Sequence, residues 1–109
     1  GISNNLYHTL GTQSDTIILV EDLISALKLA QCGYYVMPIF GSHIGLKRLA
    51  HLSHFLGVSE IVVWLDEDKR TVSITEANRA MSIGLKARAI TTELDPKEYT
   101  CLQIQQILL

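Results

Sequence analysis

The chain has 109 residues, with 9 Lys+Arg against 11 Asp+Glu for a net charge of −2, and 48% of it is hydrophobic. That length makes a single domain with a core of its own, because a unit of roughly 100 residues buries well over half the surface its unfolded form exposes. The charge balance excludes a domain that grips nucleic acid by bulk positive potential, so any such contact is local or carried by a metal ion.

Residues 1–15 are polar and mixed, with Gly11 and Ser14-Asp15, and read as an irregular lead-in to a domain spanning 16–109. Thr16 to Val20 is a continuous β-branched run, the pattern of a strand buried on both faces. Asp22 to Gln31 follows as a helix, with Leu23, Leu27 and Ala30 at helical spacing and Gly33 as its stop. The cycle repeats: Tyr34 to Phe40 is strand-like, Gly41 breaks it, and Ile44 to Leu56 is helical with Leu49, Leu52 and Leu56 along one face, ending at Gly57. A third strand, Ile61 to Leu65, runs into an acidic cluster, and Ser73 to Ile83 reads as a third helix capped by Ser73 or Thr75 and stopped at Gly84. Lys86 to Thr92 makes a fourth, shorter strand, Asp95-Pro96 a turn, and the apolar positions after Tyr99 suit a last helix. Strands alternating with helices at this spacing predict an α/β fold. It is an open, about four-stranded parallel sheet with helices on both faces.

Glu21, Asp66 and Asp68 each follow a buried hydrophobic run. In an open parallel sheet the carboxyl ends of the strands share the edge where ligands bind, so Glu21 and Asp66 meet there. If the chain stays extended past Asp66, then Asp68, two residues on, points to the same side. Two like charges roughly 4 Å apart repel by about 1 kcal/mol in water and several-fold more in a partly desolvated cleft. A hard divalent cation offsets this repulsion, and Mg²⁺ favours one or two carboxylates plus waters and substrate phosphates. The pattern suits phosphoryl chemistry, whereas Glu60 and Glu67 read as solvated loop acids.

Four segments together resemble one family. They are Val20-Glu21-Asp22-Leu23-Ile24-Ser25-Ala26-Leu27, Gly41 after the second strand, Leu65-Asp66-Glu67-Asp68 after the third, and Asp95-Pro96-Lys97-Glu98-Tyr99. The match, covering roughly residues 16 to 99, is to the Toprim domain of DnaG-type and phage primase-helicase primases. The resemblance implies a Rossmann-like Toprim fold and a site in which Glu21, Asp66 and Asp68 hold Mg²⁺ or Mn²⁺. It implies nucleotidyl transfer that makes RNA primers from nucleoside triphosphates on a single-stranded DNA template, with a Toprim-type nuclease as the alternative. Glu21 would be a ligand or a proton donor and acceptor, and two cations would serve the triphosphate and the primer 3′-hydroxyl.

The chain departs from the family where Asp22 replaces a glycine, Ser25 an aspartate, and Lys69-Arg70 an Ala-Gly pair. These departures suit a phage-type member. Lys69 and Arg70 are candidates for phosphate contact beside the metal, and the Gly41 loop is a secondary anion contact at a helix N-terminus. Primases of this kind also carry zinc-binding and helicase domains. The chain is therefore expected to be an excised part of such a protein in the cytoplasm of a bacterial cell or phage-infected host. By itself it should bind cation weakly and make little or no primer.

Other residues point away from further chemistry. His51 and His54, one turn apart, and His43 lack a nearby cysteine and read as helix-face histidines. Trp64, Tyr34 and Tyr35 read as packing residues. Cys32 and Cys101 have no CxxC partner, so neither a zinc site nor a disulfide framework is indicated, and both read as small buried hydrophobes. No apolar run approaches the roughly 20 residues that cross a bilayer. Two rivals remain: a phosphoacceptor receiver domain, which also has acids after its first and third strands, and a non-catalytic interaction module.

Overall fold

The computed structural model describes residues 9–39 and 45–109. Its four strands are β1 (Thr16–Val20), β2 (Val36–Pro38), β3 (Glu60–Asp66) and β4 (Lys86–Thr92). They alternate with α1 (Leu23–Gln31), α2 (Leu46–Leu56) and α3 (Arg70–Ser82), and α4 (Cys101–Leu108) closes the order. All strand pairs are parallel, in the order β2-β1-β3-β4, as the β-branched runs predict. The α/β architecture is therefore a four-stranded parallel sheet flanked by helices.

Because side chains alternate along a strand, each central strand feeds two cores. Ile17, Leu19, Ile61, Val63 and Leu65 pack with Leu49 and Leu52 of α2 and Ala77 and Ala80 of α3. On the other face Ile18, Val20, Val62 and Trp64 pack with Ala26 and Leu29 of α1 and Ile104 of α4. Gly57 takes a left-handed φ of 69° to end α2 while its N–H bonds Leu52 O, so the predicted stop is used as such.

Several expectations change. The buried stripe of α1 is Ser25, Ala26 and Leu29, whereas Leu23 and Leu27 are 45% and 44% exposed. Of the three positions at helical spacing, Ala30 packs at the margin of the core. The second strand is short, with Tyr34 and Tyr35 ahead of it. Phe40, Gly41 and His43 lie outside the described residues. The third helix begins at Arg70, and neither Ser73 nor Thr75 caps it: their hydroxyls donate to Lys69 O and Thr71 O inside the helix. Part of the lead-in is also ordered, since Leu10 exchanges two backbone hydrogen bonds with Val36 at the edge of the sheet.

The cysteines are the clearest correction. Cys32 at the C-terminus of α1 and Cys101 at the first position of α4 form a disulfide, with Cα atoms 5.4 Å apart. Sequence spacing hid it because the two helices meet only through the fold. A bridge across 69 positions of sequence contributes on the order of 4 kcal/mol by chain entropy.

Asp22 has a structural role of its own. Its carboxylate accepts from Ser25 N at 2.8 Å and caps α1, which fixes the direction of the chain directly after Glu21. Asp22→Ala is expected to lower stability by about 1 kcal/mol while Asp22→Ser loses only a few tenths, measured by urea unfolding.

Candidate functional site

Connections from β1 run toward β2, and those from β3 run toward β4, so the strand order reverses between β1 and β3. Helices withdraw from the carboxyl edge at such a reversal, leaving a crevice there. Glu21 follows the last residue of β1, and Asp66 is the last residue of β3. Beyond Asp66 the chain turns at once into a 3-10 turn, Glu67–Lys69, and then α3. The extended path assumed for Asp66 and Asp68 is therefore absent, yet both line one open cleft of about 560 Å³ with Glu67, Glu93 and Asp95. Glu93 and Asp95 come from the turn after β4.

A relay of hydrogen bonds aims that turn. Trp64 Nε1 donates to Thr92 Oγ1 at 2.9 Å, Thr92 Oγ1 donates to Leu94 O at 2.6 Å, and Leu94 N donates to Tyr99 Oη at 3.2 Å. The Tyr99 ring lies 6.3 Å from that of Trp64. Pro96 is buried, and Lys97 bridges Asp95 at 3.1 Å and Asp22 at 3.7 Å. These contacts hold the Asp95 carboxyl against β3.

Asp66 bears the consequence. Its pKa is pushed from 3.8 up to about 7, first by its hydrogen bond with Asp95, then by desolvation and by Glu21. Asp95 moves the opposite way: it accepts from Asp66 and from Lys97, which hold it below the usual carboxylate range. One proton is thus shared between the end of β3 and the turn after β4, and the two acids titrate as a pair. Lys69 Nζ pairs with Glu21 Oε1, and that contact raises the ammonium's pKa. Arg70 donates to Thr91 Oγ1 through two long 3.4 Å contacts.

Glu21 and Asp66 are therefore brought together, Asp68 shares the cleft with Asp66, and Lys69 and Arg70 stand on its flank. Gly41 lies outside the described residues. Asp95 and Glu93 complete the acidic lining. Among the described residues no three His, Cys, Asp or Glu side chains close into a ready-made metal cage. The chemistry of the donors nevertheless fits a hydrated Mg²⁺ or Mn²⁺, which needs one or two carboxylates and keeps several waters, and Asp66 is crowded enough by anions to gain from a cation.

The other described features lie elsewhere. A second hollow, of about 320 Å³ between Tyr34, Val62, Arg88 and Leu108, sits at the opposite ends of the strands. Its one acidic lining residue, Glu60, starts β3 and accepts from Thr16 Oγ1 at 3.4 Å, so it is a strand residue rather than a loop acid. Trp64 and Tyr35 are buried as expected for packing residues, and no helix among the described residues is long and apolar enough to cross a membrane.

No protein-family model, curated protein or solved structure matches this chain.

The raised pKa of Asp66 sets a pH dependence. Between the ordinary value of 3.8 and about 7 the folded chain binds more protons than the unfolded one, so stability falls as pH rises through that window. The lowered pKa of Asp95 stabilises the fold above the usual carboxylate range and is lost only in stronger acid. Asp66→Asn is expected to flatten the decline, leaving the variant with the higher melting temperature above about pH 7. Thermal melts across pH would show parallel declines in both proteins if the shared proton were absent.

Proposed function

We propose that this chain is a Toprim-type nucleotidyl-transfer domain of a primase, of the DnaG or phage primase-helicase kind. The observation that carries the reading is the crowding of Asp66 by Asp95 and Glu21 at the crevice between β1 and β3. Acids forced together at the ligand-binding edge of a parallel sheet are suited to Mg²⁺ or Mn²⁺ carrying nucleotide phosphates. Asp66, Asp68 and Asp95 would hold the cation, which supplies charge neutralisation for the triphosphate and its leaving group.

The chain's own groups have distinct tasks in this reading. The end of β3 and the relay from Trp64 to Tyr99 fix the carboxylates before ligand arrives, which lowers the reorganisation needed on binding. Lys69 pairs with Glu21 and holds its carboxyl group beside Asp66, next to the cleft. Substrates would be nucleoside triphosphates and a single-stranded DNA template, in the bacterial or phage-infected cytoplasm. Zinc-binding and helicase domains of the parent protein would be its partners.

The strand order also equals the first four strands of the flavodoxin-like arrangement used by receiver domains, which makes phosphoacceptor chemistry at Asp66 the second reading. Among the described residues the sheet has four strands, whereas a receiver has five.

Calorimetric titration with Mn²⁺ is expected to give weak, saturable binding that weakens at least tenfold in Asp66→Asn. Mg²⁺-dependent nucleotide incorporation or nicking by the parent protein should vanish in Glu21→Gln. A flat titration removes the catalytic reading, and labelling of Asp66 by acetyl phosphate selects the receiver.

A further inference from the structure

The attachment of α4 depends on few contacts. It is an eight-residue helix, a length that is marginal in isolation even with a capping box. Ile104 is its buried residue, Ile107 and Leu108 pack at the margin of the core, and Leu102 is 67% exposed. Arg88 donates to Leu108 O at the far end. The near end is tied covalently, through Cys101 to Cys32, where α1 terminates. Directly ahead of Cys101 run Thr100, Tyr99 and the turn carrying Lys97 and Asp95. The bridge thus anchors the same stretch that delivers an acid to the cleft.

Cys101 is exposed, at the first position of α4. Cys32 is half-buried against the sheet. The two sulfurs therefore differ in access, and attack comes from the Cys101 side.

We propose that the Cys32–Cys101 bridge is an exchange-active latch: a dithiol reductant opens it, and opening loosens α4 together with the Asp95 turn. A thiolate of the reductant attacks Cys101 Sγ, forming a mixed disulfide and expelling Cys32 as a thiolate, which takes up a proton. The reductant's second thiol then displaces Cys101, so two electrons and two protons pass to the protein and the reductant leaves as its own disulfide. The latch stands on the placement of the two cysteines and of α4, and it holds whether or not the cleft binds a cation.

Hydrogen exchange on the oxidised chain and on the chain reduced with excess dithiothreitol tests it. Loss of a cross-link lowers global stability, which speeds every amide that exchanges through complete unfolding. A latch adds a local effect: amides of residues 96–108 should accelerate at least tenfold more than those of β1 and β3. The Cys32→Ser/Cys101→Ser double variant should show the fast pattern with or without reductant. Equal acceleration along the whole chain, or a bridge that survives excess dithiothreitol in the folded protein, overturns the proposal.

Discussion

Parallel pairing of β1 with β3, in register from Thr16↔Glu60 to Val20↔Trp64, is the constraint from which the site follows. It brings the ends of two strands, separated by more than forty residues of chain, to the same level. Glu21 and Asp66 then have no freedom to avoid each other, because each is fixed by the strand before it and by the turn after it. Burial of Ile17, Leu19, Ile61 and Val63 on one face and Ile18, Val62 and Trp64 on the other stabilises that register. A slip of one residue would exchange the two faces of the strand. The crowding of the acids is therefore maintained by the hydrophobic core, not by any attraction among the acids themselves.

The acids also show how an electrostatic penalty is distributed. Lysines offset the outlying carboxylates, Lys69 at Glu21 and Lys97 at Asp95 and Asp22. Asp66 sits between them without a cation of its own at hydrogen-bonding distance among the described residues, and it takes up the shared proton instead. Strong local charge at a strand terminus is unfavourable for folding and useful for recognising a cationic or metal-bridged ligand.

Much of this was legible in the chain. The β-branched runs of β1 and β3 and the alternation of strand and helix gave the parallel sheet, and β4 has the predicted bounds of Lys86 and Thr92. Glu21 and Asp66 were recognisable because each directly follows a buried run. Asp95 and Glu93 were not identified as part of the acidic lining, since their turn reaches the cleft only through the Trp64–Thr92–Leu94–Tyr99 relay. Helical spacing located α1 but did not single out its buried residues: Ser25, Ala26 and Leu29 are buried and Ala30 packs beside them, while Leu23 and Leu27 are exposed. The Cys32–Cys101 pairing was out of reach because nothing local connects the end of α1 to the start of α4.

Trp64 is the lone tryptophan of the chain and 1% exposed, and its indole N–H is committed to Thr92 beneath the ring of Tyr99. Indole emission shifts to longer wavelength when water reaches it. The protein consequently carries an intrinsic optical probe directly under the segment that completes the acidic cleft, and the colour of its fluorescence reports that segment's seating without any added label.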